Sequence, residues 1–273
     1  MSFGEKFVSC NIYGGLGNQL FQIATTLALA WKRNLKPVFL DRPWTRLGET
    51  LEYNKTILRH LTWLSGSDFN KISFETFDQP SFGFCEFPLF TESILINGYF
   101  QSWRFFEDVK DRIREEIIYL SEEDKALIEK SWSQIHKTEI IIAVHVRRGD
   151  TIPNSWYHTL IPNSYYEKAM NHLKEVYKDE NISFCIFSDD LEWCKKEPLF
   201  SNCTFFSSGT AYIDLIGMSR CSALIIGNST FSWWAAYLSG SEHVVYPDKW
   251  FGPGNSHLDI SGLHPDKWRK IEY

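Results

Sequence analysis

Four groups able to do chemistry stand within six residues of one another, in the run His145-Val146-Arg147-Arg148-Gly149-Asp150. Two adjacent guanidiniums suit a phosphate, because the planar fork of arginine meets phosphate oxygens with parallel hydrogen bonds. A strand that merely ends in surface charge accounts for one arginine, but less well for the whole cluster. Two further groups recur after apolar runs: Ser188-Asp189-Asp190, and Asn228-Ser229-Thr230 with Ser232 close behind. Short hydroxyls at a helix start add donors to the free backbone N–H groups there, which makes an anion cradle. An acid can accept two N–H bonds from a guanine edge. Helix capping would use the same serines and aspartates with no ligand at all. Near the N-terminus, Gly14-Gly15-Leu16-Gly17-Asn18-Gln19 joins an apolar run to an Ala-rich one. Glycines there permit a tight turn, although the spacing matches neither a dinucleotide fingerprint nor a Walker loop.

These groups need elements to hold them. Ile140–Val146 is apolar and β-branched without alternation, as in a strand buried on both faces of a parallel sheet. Ligands of such sheets bind beyond the carboxyl ends of the strands, where Arg147, Arg148 and Asp150 would lie. Further strands are expected at 182–187, 203–206, 223–227 and 243–247, separated by helices over 164–178, 211–220 and 231–238. Ahead of them, strands over 7–12, 38–41 and 94–102 flank a helix over 20–33, and residues 42–93 read as loops and short helices. A helical pair over 106–136 separates two expected Rossmann-like domains, 1–137 and 138–273, with the last segment packing back on the first. Tyr99, Gln101 and Trp103 follow a strand, and Trp156 and His158 lie in a long loop after Asp150. All five are candidate sugar contacts, with core packing the alternative for the aromatic rings.

The 273 residues are 44% hydrophobic and 23% charged, as expected of a globular chain with room for two domains. A net charge of −6 argues against nucleic acid as a partner. No apolar run approaches the ~20 residues of a membrane span, and the first residues do not read as a signal peptide. The six cysteines form no C-x-x-C pair and several lie in apolar runs, which suits reduced core thiols in the cytoplasm. Asp190 and Glu192 share one helical turn without further ligands, so no metal site is expected.

Four motifs in order, Gly14-Gly15-Leu16-Gly17-Asn18-Gln19-Leu20-Phe21-Gln22, His145-Val146-Arg147-Arg148-Gly149-Asp150, Phe187-Ser188-Asp189-Asp190 and Asn228-Ser229-Thr230-Phe231-Ser232-Trp233-Trp234, resemble the α-1,2-fucosyltransferase family. The resemblance spans nearly the whole chain, and the lack of an anchor makes the chain look like a bacterial member. It implies an α/β fold of GT-B type, two Rossmann-like domains facing a cleft, with acceptor on the N-terminal side and GDP-fucose on the C-terminal side. It implies inverting, metal-independent transfer of fucose to the 2-hydroxyl of a galactose-terminated glycan, with no cofactor. A peripheral membrane contact would come only through a lipid-linked acceptor.

By the same resemblance Arg147 meets the β-phosphate, supported by His145 and Arg148, while Ser229, Thr230 and Ser232 bind phosphate. Asp214 matches the acid that reads guanine in relatives and is preferred to Asp190, with Asp189 beside them. Gly15 and Asn18 belong to the loop that faces the diphosphate from the other domain. The general base stays open among Asp150, His158 and the acids of the N-terminal half. Asp150 is the first choice, although capping or pairing with arginine explains it equally well.

Overall fold

The computed structural model of the protein describes residues 5–42, 44–46, 49–133, 135, 140–149 and 151–273, with 44–46 and 49–51 described by their backbone. The chain divides into two compact units: Met1–Ser121 with Asp259–His264, and Glu122–Leu258 with Pro265–Tyr273. The division falls before residue 122 rather than at 137/138, because the helix there is tied into the second unit. Tyr212 donates to Asp124 at 2.8 Å, and Arg220 pairs with Glu129 at 2.7 Å. Of the tail, Asp259–His264 belongs to the first unit, where Ser102 Oγ donates to the Gly262 carbonyl. The last strand stays with the second.

In the first unit the order is β1 (Phe7–Cys10), α1 (Leu16–Arg33), β2 (Lys36–Pro37), β3 (Phe39–Leu40), β4 (Trp44–Arg46), β5 (Glu49–Leu51), β6 (Trp63–Leu64), α2 (Gly66–Phe69), β7 (Phe74–Asp78), β8 (Ser93–Asn97) and α3 (Lys110–Glu116). Its main sheet is parallel, in the order β2-β1-β8-β7. β3 pairs with β6, and β4 with β5 forms an antiparallel ribbon. Strand β7 falls where the sequence suggests loop, since it is half exposed and carries Glu75 and Asp78, types that strands disfavour. α1 begins at Leu16, four residues before the expected start, so Gly17 and Asn18 lie in its first turn. Every residue from Leu16 to Ala30 is buried except Asn18.

The second unit runs α4 (Glu122–Trp132), β9 (Ile140–Val146), α5 (Asn163–Val176), β10 (Ile182–Ser188), α6 (Leu191–Cys194), β11 (Thr204–Phe205), α7 (Ala211–Ser219), β12 (Ala223–Ile225), α8 (Thr230–Ser239), β13 (Val244–Pro247) and β14 (Arg269–Ile271). All six strands are parallel, in the order β11-β10-β9-β12-β13-β14. Alternate residues of β9 bury on opposite faces. Ile142, Val144 and Val146 join a core with Tyr165, Tyr166 and Phe184, while His145 on the other face meets Phe231 of α8. Each such apolar side chain contributes roughly 1.5–3 kcal/mol of burial, which explains why the run does not alternate. Among the described residues no helix is long and apolar enough to cross a membrane.

Candidate functional site

The second sheet is laid down outward from β9, first to β10 and β11, then back across to β12, β13 and β14. That reversal puts a topological switch point between β9 and β12, the place where open α/β sheets bind ligands. Register brings the relevant strand ends level: Val146 lies opposite Ser188, and Val144 opposite Ile225. Arg147 and Arg148 therefore emerge between Asp189–Asp190 on one side and Gly227–Thr230 on the other.

Arg147 spans the switch point. Its Nη1 donates to the main-chain carbonyl of Asn228 at 2.9 Å, which sets the plane of the guanidinium beside the start of α8. Ser229 is the N-cap of α8, its Oγ accepting from Phe231 N at 3.3 Å. Thr230 opens the helix and is half-buried. Ser232 departs from its expected role on phosphate. It is fully buried, and its hydroxyl donates to the carbonyls of Ser229 (3.2 Å) and Gly227 (3.4 Å), so it shapes the loop from within.

His145 lies beneath this edge rather than on it. It is 6% exposed, and its ring packs on Phe231 with centroids 5.5 Å apart. Burial, then the neighbouring Arg147 charge, holds its pKa down at about 3, so the ring is neutral. A Cβ on Gly227 would fall 3.2 Å from the His145 carbonyl and 3.5 Å from Nδ1. The loop after β12 can pass this close to β9 because residue 227 has no side chain.

The acids after β10 brace the arginine turn, where the sequence reading expects them to meet nucleotide. The Asp189 carboxylate accepts from the backbone N–H of Arg148 (2.8 Å) and of Gly149 (3.1 Å). Asp190 caps α6 by accepting from Trp193 N at 3.1 Å. Its second oxygen stands 3.6 Å from Arg148 Nε, a charge contact rather than a hydrogen bond. The Arg148 guanidinium lies 3.6 Å over the Trp193 ring, a cation–π contact that packs this arginine against α6. Asp214, in the first turn of α7, accepts from Ser208 N (2.7 Å) and Oγ (2.6 Å) through one oxygen. Burial raises its pKa, and those two bonds oppose the rise. Asp150 lies outside the described residues.

The segment after Asp150 is fastened to the one after β13. His158 bridges Phe251, Thr159 Oγ1 donates to the Phe251 carbonyl at 2.6 Å, and Gly254 N donates to the Trp156 carbonyl at 2.8 Å. Trp156, 62% exposed, is a sugar-sized aromatic surface on that brace.

In the first unit the glycine loop is cinched by the helix it starts. Gly14 has φ +82°, and a Cβ there would sit 2.6 Å from Asn18 Nδ2. Gly15 is the N-cap of α1. Gln19 Nε2 donates to the Gly14 carbonyl at 2.9 Å, and Gln22 Oε1 accepts from Tyr13 N at 3.0 Å. Gln101 Nε2 donates to Asn18 Oδ1 at 3.0 Å, which gathers two predicted site residues at this sheet edge. Tyr99, 41% exposed, is edge-on to Tyr13 with centroids 4.8 Å apart, whereas Trp103 is half-buried in a short 3-10 turn. Burial, with Tyr99, Cys10 and Asp78 nearby, pushes Tyr13 up to about 12, so it remains a neutral phenol. A small recess opens at the end of β1 beside Asn11, Arg42 and Phe69.

Sequence reasoning passed over Tyr13, Trp193 and the role of Asn228. The signal for Asn228 was its place as the first polar residue after a buried strand. Among the described residues no three His, Cys, Asp or Glu side chains gather as a metal-binding group.

The sequence matches Glycosyl transferase family 11 over residues 5–250. It is 28% identical to an alpha-1,2-colitosyltransferase of Escherichia coli, over 98% of this chain and 99% of the relative. It is 26% identical to human galactoside alpha-(1,2)-fucosyltransferase 1, over 90% of this chain and 69% of that protein. The fold resembles that of the fucosyltransferase NodZ from Bradyrhizobium, with a TM-score of 0.58 at 16% identity, over 94% and 98% of the two chains. A NodZ crystal described as an α-1,6-fucosyltransferase was soaked with GDP-fucose. The likeness shows the fold, an α/β structure of the GT-B type.

Proposed function

This chain belongs to glycosyl transferase family 11, and from that membership we propose that it transfers L-fucose from GDP-fucose to the 2-hydroxyl of a terminal β-galactoside, with inversion and without a metal. The observation that carries the reading is Arg147, held at the switch point of the second sheet beside the N-terminus of α8. The name of the human relative supports the linkage and the galactoside. As the bond from C1 to the β-phosphate oxygen breaks, its electron pair leaves with GDP and the sugar becomes oxocarbenium-like. The acceptor oxygen bonds to the opposite face of C1, and its proton passes to a base. With no metal in the step, the charge growing on phosphate falls to the fork of Arg147 and the N–H groups that open α8. Asp150 and His158 are the candidate bases on the second unit.

On this reading Asp214, through the oxygen that Ser208 does not occupy, addresses the guanine, and Asn18 and Gly15 address the diphosphate. Tyr99, Gln101, Trp103 and Trp156 serve the galactose-terminated acceptor. The setting is the bacterial cytoplasm, at the membrane surface where the acceptor is lipid-linked. The colitosyltransferase relative favours one second reading, in which the donor is GDP-colitose. Incubation with each GDP-sugar and lactose, with and without EDTA, separates the two. Fucα1-2Gal, identified by NMR and undiminished in EDTA, is the expected product. A different linkage, or loss of turnover in EDTA, would refute the reading.

A further inference from the structure

We propose that Asn228 is the positioning residue for Arg147, and that through it the arginine is coupled to the segments ending at Thr159 and Trp250. The proposal rests on the transfer reading above. Asn228 lies between Gly227 and Ser229 where the chain leaves β12, and is 2% exposed. Its Nδ2 donates to the Thr159 carbonyl at 2.7 Å and to the Trp250 carbonyl at 3.1 Å. Its own carbonyl accepts Arg147 Nη1 at 2.9 Å. One residue thus joins three segments that are far apart in sequence.

The chemistry selects asparagine. A carboxamide has two N–H donors, enough for two carbonyls, whereas a serine or threonine hydroxyl has one. Turning the amide over would set Oδ1 against two carbonyl oxygens, so its orientation is fixed by its partners. Aspartate has the shape but no donor. Glutamine has the donors on a longer arm.

The two segments that Asn228 grips also hold each other, through Thr159 Oγ1 to the Phe251 carbonyl and the His158–Phe251 bridge. They therefore act as a fixed frame. With the side chain clamped to that frame, the peptide plane after Asn228 cannot rotate, and its carbonyl stays aimed at Arg147. A guanidinium fixed at one nitrogen keeps its plane, and bidentate recognition of phosphate depends on that plane. Loss of the clamp would leave Arg147 present but misdirected.

The test is a double-mutant cycle on the full chain: unmodified protein, Asn228→Ala, Arg147→Lys and the double variant. GDP release from GDP-fucose is followed with lactose as acceptor, and thermal melts establish the folded fraction. Asn228→Ala should lower kcat per folded molecule by roughly 10–100-fold, the scale of an ångström-sized misplacement, with KM for lactose unchanged. In the Arg147→Lys background the same change should cost less than about threefold, because no fork remains to be aimed. Equal losses in both backgrounds would overturn the proposal, as would an Asn228→Ala protein with unaltered kcat. Where Asn228→Ala does not fold, Asn228→Ser, which keeps one donor, takes its place under the same criterion. No GDP release by the unmodified protein would sink the transfer reading and this proposal with it. Transfer with multiplicative losses would sink the positioning role alone.

Discussion

Arg147 donates from Nη1 to the main-chain carbonyl of Asn228, 2.9 Å away across the gap where the second sheet reverses its strand order. The two residues are distant in sequence, and their bond places a fixed cation beside the N-terminus of α8. Lysine keeps the charge but has neither the plane nor the second donor row. Arg147→Lys should therefore lose about 10²–10³ in kcat on GDP-fucose, with an unshifted melting temperature. Turnover within a few-fold of the unmodified protein would refute the phosphate role.

Asp189 is read as a brace, not a ligand, because both its oxygens accept main-chain N–H groups of Arg148 and Gly149. It is exposed, so the two bonds together are worth only about 1 kcal/mol, and Asp189→Ala should show that loss in urea unfolding. Donor KM should rise alongside, as the arginine turn loosens. Weaker GDP binding in calorimetry with unchanged stability would instead mark Asp189 as a direct contact.

Gly14 combines a left-handed φ of +82° with Asn18 Nδ2 at 2.6 Å from where a Cβ would stand. Gly14→Ala should cost about 1–2 kcal/mol from the backbone alone, and more if Asn18 cannot swing aside. Asn18 would have to leave Gln101, so activity should fall more than stability does. An alanine variant with normal melting and normal turnover would show that the loop tolerates a side chain.

Tyr99 offers an exposed ring at the carboxyl edge of the first sheet, supported edge-on by Tyr13. Removing a stacking surface of this kind costs about 1 kcal/mol, so Tyr99→Ala should raise KM for lactose about fivefold. KM for the donor should not move. An effect on the donor alone would reassign the residue.

Acid should unfold the protein through its buried histidines. His145 and His264 are both held at about 3 by burial, with Arg147 adding to the effect at His145, against an ordinary value of 6.5. Between those values the unfolded chain takes up a proton that each folded ring refuses. The stability is complete above pH 6.5 and declines as pH falls toward 3, by about 1.4 kcal/mol per pH unit for each histidine. Urea unfolding at pH 7, 6 and 5 measures the slope, and His145→Asn should reduce the proton uptake near pH 5 by about one. A slope that the substitution leaves unchanged would place the burden elsewhere.

Much of this was legible from residue order alone. An apolar, β-branched run without alternation suits a strand buried on both faces of a parallel sheet, so Ile140–Val146 pointed to β9 and put Arg147 at its carboxyl end. Glycines before an Ala-rich run announced the turn into α1, and hydroxyls after Ala223–Ile226 announced the start of α8. These inferences rest on local sterics and burial, which each segment carries within itself.

What tertiary structure decided was which partner each polar group takes. Asp189 became a brace for the turn after β9, and Ser232 turned into its own loop. Asn228 gained carbonyls from positions 159 and 250. β7 was recruited as a sheet edge despite its acids, and α4 was drawn into the second unit by Tyr212 and Arg220. A donor or acceptor is satisfied by whatever the completed fold brings within about 3 Å. Composition and spacing state that such a group exists; only the register of distant strands states what it meets.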